Sequence, residues 1–139
     1  MSNVEHVFQV RFELLLSSSL ASQASISAAL DTLCQVEQHT GIDLDEALGA
    51  PLATHLAITL ERLLQGEVLQ SAPDVLWIEL QGYPEQFELA TKLVAGLEQR
   101  LGLQISSDEA GFIALHLARI ALAVENPTET SSLTSREEQ

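Results

Sequence analysis

The sequence predicts an all-α bundle. Three observations carry that expectation: Ala, Leu, Gln and Glu dominate while aromatic residues are few and β-branched runs short; apolar residues recur at helical spacing; and the periodic segments carry cap and stop signals. With 46% hydrophobic residues among 139, the chain is too apolar to stay unfolded and fits one domain. Only 126–139 has the composition of a disordered tail.

The first helix is read from Ile26, with Ala29, Leu30, Leu33 and Val36 on one stripe, Ser25 as its cap and Gly41 as its stop. The second opens at Pro51, whose fixed φ and missing N–H suit a first turn, and runs through Leu52, Leu56, Leu60 and Leu63 to Gly66. A short piece carrying Trp77 follows between Pro73 and Leu80. The next helix begins at Pro84, buries Phe87, Ala90, Val94, Leu97 and Leu101, and stops at Gly102. The last starts at Ser106 or Ser107, where Ser106 and Glu109 have capping-box spacing, and continues to about Val124 before Pro127. It is apolar on nearly every face, which places it in the middle of the bundle and makes His116 and Arg119 conspicuous. These elements define a helical domain over 25–125, an extension over 1–24 and the tail.

The extension fits two descriptions. Phe8, Val10, Phe12 and Leu14 alternate with polar residues as in a strand, whereas Val4, Val7, Phe8, Phe12, Leu15 and Leu16 fit a helix. A lone strand would need a partner for its edge, so the strand reading carries a dimer in which two copies pair.

Charge and motifs exclude several functions. Twenty acidic residues against six Lys and Arg give a net charge of −14, which repels a nucleic-acid backbone. No apolar run is long enough to span a membrane and no basic leader precedes a hydrophobic core, so a cytoplasmic protein is expected. The single cysteine, Cys34, is expected to be a buried small apolar side chain. No phosphate-binding loop, nucleophile elbow or paired-cysteine motif is present, and no cofactor or metal is expected.

What remains is a matched pair of histidines on two helices. His55 has Arg62 two turns on, and His116 has Arg119 one turn on. A guanidinium beside an imidazole disfavours the protonated ring, leaves a nucleophilic nitrogen, and can hold an anionic group placed on that nitrogen. His6 and His39 are assigned no role; a histidine at a helix C-terminus such as His39 simply suits the dipole. Three other readings remain open: a structural interaction module with core histidines, a zinc site lacking evident third and fourth ligands, and a small acid–base enzyme using His116 with Asp108 or Glu109.

The two segments resemble the histidine helices of the PTS regulation domain, the PRD of bacterial antiterminators and transcriptional activators. The first is Pro51-Leu52-Ala53-Thr54-His55-Leu56-Ala57-Ile58-Thr59-Leu60-Glu61-Arg62-Leu63-Leu64-Gln65-Gly66, and the second Asp108-Glu109-Ala110-Gly111-Phe112-Ile113-Ala114-Leu115-His116-Leu117. Tyr83-Pro84 and Leu101-Gly102-Leu103-Gln104-Ile105 are similar in spacing, so the resemblance covers about 25–124. It implies a five-helix bundle that is no enzyme but a phosphorylation sensor. His55 and His116 would accept phosphate from the phosphocarrier HPr or a sugar-specific enzyme IIB, with Arg62 and Arg119 steadying it and homodimer packing changing in response. Two departures stand out: Thr54 occupies a position usually acidic in the family, and one copy is present without a basic nucleic-acid-binding head, as in a stand-alone domain.

Overall fold

The computed structural model describes residues 3–125, and every regular element among them is a helix: α1 (Val4–Val7), α2 (Gln9–Ser17), α3 (Gln23–Thr40), α4 (Glu46–Leu64), α5 (Asp74–Leu80), α6 (Pro84–Leu101) and α7 (Ser107–Glu125). The five expected helices are α3 to α7, with two short ones ahead of them. The tail expected over 126–139 lies outside the described residues. Among the described residues no helix is long and apolar enough to cross a membrane.

The strand reading of the N-terminal segment does not hold, and the edge pairing derived from it falls with it. Val4, Phe8 and Phe12 recur every four residues and are 4%, 0% and 4% exposed, whereas Val10 and Leu14, which a strand would have placed beside Phe8 and Phe12, face solvent. A helix buries one stripe at that spacing, and the core favours it over alternation. These three side chains share one cluster with Leu33, Leu52, Leu56 and Leu93.

Two helix starts also lie upstream of their expected positions. The cap of α3 is Ser22, whose hydroxyl accepts from Ser25 N–H at 3.2 Å while the Ser25 hydroxyl accepts from Ser22 N–H at 2.9 Å. Ser25 is thus the far side of a capping box rather than the cap itself. Helix α4 begins five residues before Pro51, because the Asp45 carboxylate accepts the Leu48 N–H at 2.7 Å and supplies a stronger start signal. Pro51 therefore sits inside the helix, where its missing N–H leaves one backbone carbonyl without its usual donor. The expected stops at Gly41 and Gly102 hold: both adopt the left-handed conformation, at φ 72° and 67°.

The four long helices, each of 18 or 19 residues, form a closed ring of packed pairs: α3 on α4, α4 on α7, α7 on α6 and α6 on α3. The short helices brace this ring, with α2 against α4, α1 against α3 and α5 against α7. Two glycines let them approach. A Cβ on Gly49 of α4 would stand 2.6 Å from Cζ of Phe8, and one on Gly111 of α7 would stand 2.9 Å from Cη2 of Trp77. Trp77 in turn meets Phe87 edge-on, with ring centroids 5.8 Å apart.

Helix α7 does run through the middle, burying Ala110, Ile113, Ala114, Leu117 and Ile120, but its end emerges, leaving Leu122 and Val124 exposed. Arg119 is exposed as well, so only His116 bears a desolvation cost. Cys34 is half-buried rather than buried, its sulfur 3.7 Å from the Gln38 amide.

Candidate functional site

His55 is the tenth residue of α4 and His116 the tenth of α7, so each imidazole projects from the rigid middle of a 19-residue helix. Packing of α4 on α7 brings the rings together, with centroids 5.0 Å apart and planes inclined at 42°. Phe112, one turn before His116, lies 6.0 Å from the His55 ring. Both rings are half-buried; the His55 side chain keeps 22% of its surface.

A carboxylate joins them. Glu109 is only 5% exposed, and its Oε1 lies 3.2 Å from Nε2 of His55. Which of the two atoms donates follows the tautomer of the ring; to an ionised carboxylate, which can only accept, Nε2 is the donor. The expected capping role of Glu109 thus gives way to a bond to His55, across the α4–α7 interface, because burying a carboxylate requires a donor.

His116 behaves differently. Burial first, then the neighbouring His55 ring and the Arg119 guanidinium, push its pKa down to about 4. At neutral pH the ring is uncharged and one nitrogen keeps a lone pair available for bonding.

The arginines occupy less direct positions than the spacing predicts. Arg62 lies on the wall of a cavity of about 370 Å³ that it shares with Thr54, His55, Thr59, Glu109 and Phe112, but its Nε donates to Glu67 at 3.1 Å. Arg119 acts on His116 through its charge from an exposed position. Thr54 accepts from Nη1 of Arg11 at 2.9 Å, and the same guanidinium donates Nε to Glu46 at 2.8 Å. Among the described residues no group of three or more His, Cys, Asp or Glu is arranged to hold a metal ion. His6 and His39 lie elsewhere; Nδ1 of His39 is 2.8 Å from the Gln35 carbonyl one turn back.

Two facing imidazoles, one in contact with a buried carboxylate and one kept neutral, thus meet where α4 packs on α7, and His55 shares a cavity wall with the Arg62 guanidinium. The model of the PRD domain family matches residues 31–120. The chain belongs to the PRD domain family. Similar curated proteins are the transcription antiterminator LicT of Bacillus subtilis, 28% identical over 87 residues (63% of this chain, 31% of the relative), and the β-glucoside operon antiterminator of Dickeya chrysanthemi, 26% identical over 134 residues (89% and 45%). Protein GlcT of Staphylococcus haemolyticus is 26% identical over 99 residues (71% and 34%). The chain spans less than half the length of each of these relatives. No solved structure is significantly similar to it.

In this PRD domain the sequence points to the two histidines but leaves Glu109 as a capping residue or as a partner of His116 rather than of His55, Phe112 as core and Arg11 without a role. A signal for the first two exists. Glu109, Phe112 and His116 stand at i, i+3 and i+7, one stripe of a helix, so whatever His116 faces the other two face as well. Arg11 reaches Thr54 from 43 residues away, and no local spacing encodes that contact.

Proposed function

We propose that this domain is a PTS regulation domain in which the His55–His116 pair receives a phosphoryl group from HPr or a sugar-specific enzyme IIB, and that the modification alters homodimer packing or partner binding. The observation that carries the reading is the 5.0 Å approach of the two imidazoles, one of which, His55, shares the wall of a cavity with Arg62, in a member of the PRD family. The reading makes the protein regulatory rather than catalytic and places it in the cytoplasm. The nitrogen lone pair of the neutral acceptor attacks the donor's phosphorus in line, and the bond from phosphorus to the donor atom, nitrogen in a phosphohistidine or sulfur in a phosphocysteine, breaks with its electron pair returning to that atom. Arg62 and Arg119 steady the charge.

The added group brings about −1.5 to −2 charges. Between two copies facing one another about 10 Å apart at an effective dielectric near 40, doubly charged groups repel by about 3 kcal/mol before salt screening. That is roughly a hundredfold in a dimerisation constant, enough for a switch. With a net charge of −14, the recipient of the signal is another protein or another copy of the chain rather than nucleic acid.

The test is incubation with phosphoenolpyruvate, enzyme I and HPr, with and without enzyme IIB proteins, followed by mapping of acid-labile phosphate in wild type, His55→Ala and His116→Ala. Label on His55, His116 or both is expected. No label in any mixture replaces this reading with a purely structural interaction module.

A further inference from the structure

We propose that Glu109 is a positioning residue that commits Nε2 of His55 as a hydrogen-bond donor and thereby makes Nδ1 the atom of His55 that takes a phosphoryl group. This inference rests on the phosphoacceptor reading above and refines it to a single atom. The Glu109 side chain is 6% exposed and its Oε1 lies 3.2 Å from Nε2, so this nitrogen is occupied by a buried carboxylate. When the imidazole is neutral only one nitrogen carries the proton, and a carboxylate in contact with Nε2 fixes the proton there. The lone pair then resides on Nδ1.

The chemistry balances without moving that proton. The Nδ1 lone pair forms the new N–P bond while the bond from phosphorus to the donor's leaving atom, nitrogen or sulfur, breaks, its electron pair departing with that atom. The His55 ring becomes an imidazolium bearing the phosphoryl group, and its positive charge develops against the Glu109 carboxylate through the retained Nε2–H. A carboxylate at this position therefore does two things that a neutral amide of the same shape does only weakly: it selects the tautomer and it stabilises the charged ring.

Two measurements on the full chain test this. Nitrogen-15 NMR of the unmodified protein reports which His55 nitrogen bears hydrogen. The Nε2–H tautomer is expected in wild type, with mixed tautomers in Glu109→Ala; an Nδ1–H tautomer in wild type overturns the proposal without reference to phosphorylation. Treatment with potassium phosphoramidate, whose P–N bond breaks to release ammonia, then reports the isomer formed on His55. Roughly tenfold excess of the Nδ1 isomer is expected in wild type, as a charge-assisted hydrogen bond allows. Glu109→Gln should slow modification of His55 by roughly tenfold while leaving the rate at His116 within about twofold. An Nε2 isomer in wild type, or equal isomer ratios in wild type and Glu109→Ala, overturns the role of Glu109 and leaves the phosphoacceptor reading standing. Phosphate on His116 alone does the same. No phosphohistidine from either phosphoramidate or the enzyme cascade removes both.

Discussion

Helices α4 and α7 are near-duplicates in outline and opposites in surroundings. Each is 19 residues long, carries its histidine at the tenth position and a glycine five or six residues earlier, and receives an aromatic ring against that glycine, Phe8 from the junction of α1 and α2 and Trp77 from α5. Yet the ring seated on α4 is Phe8, wholly buried, whereas Trp77 on α7 keeps part of its surface. The two imidazoles differ as well: His55 is held by a buried carboxylate, and His116 is kept uncharged chiefly by burial. Equal placement along a helix therefore does not confer equal chemistry; the facing elements decide it.

The comparison breaks most readily at Phe8. Replacing it with alanine removes a fully buried ring from the α4 side and is expected to cost about 3–5 kcal/mol in urea unfolding, whereas Trp77→Ala should cost less because that side chain is already partly solvated. Equal losses would mean that the two braces are equivalent.

The glycines give a smaller contrast with the same logic. Alanine in a helix interior gains about 1 kcal/mol in propensity over glycine. At Gly111 the ends of Trp77 and Leu76, at 2.9 and 3.1 Å, can give way, so Gly111→Ala should fall within about 1 kcal/mol of wild type. At Gly49 the obstacle is the immobile Phe8 ring at 2.6 Å, and Gly49→Ala should destabilise by about 1–2 kcal/mol. Thermal melts of both variants settle the order, and a more damaging change at Gly111 would reverse it.

The smallest effect concerns the histidines. Because the folded pKa of His116 is about 4, below the 6.5 of an ordinary ring, the unfolded chain binds its proton first as pH falls. The stability held above pH 6.5 is lost between 6.5 and 4, and the loss levels off below 4. For a half-buried ring open to solvent screening this amounts to about 1 kcal/mol. Wild type should therefore lose more stability than His116→Gln across that window, measured by urea unfolding at matched pH; parallel curves would show that the ring titrates normally in the fold.

Most of the helical frame is legible in the chain. The stops at Gly41 and Gly102 and the start at Pro84 follow from backbone preferences that operate locally, and the structure keeps them. Errors arise where a stronger local signal lies nearby or where the deciding partner is remote. Pro51 suits a first turn, but Asp45 caps the helix earlier; the N-terminal pattern suits two periods until a core is present to choose between them. The two histidines are legible because polar groups on apolar helices stand out. Their mutual approach and the bond to Glu109 are set by how α4 meets α7, which the periodicity of either helix does not specify. Arg62 shows the converse limit: seven-residue spacing puts it on the correct side of α4, yet Glu67, just past the helix end, takes its guanidinium.

The notch that Gly49 opens for Phe8 bears on how the protein can be shortened. The family match starts at residue 31, inside α3, and covers neither α1 nor α2. A chain cut back to its five later helices would leave an uncovered apolar hollow along α4, wide enough for an aromatic ring and lined by Leu44 as well as the bare backbone. Such a fragment would self-associate through that hollow, so an oligomer found with it would report the missing plug and not how the untrimmed chain associates.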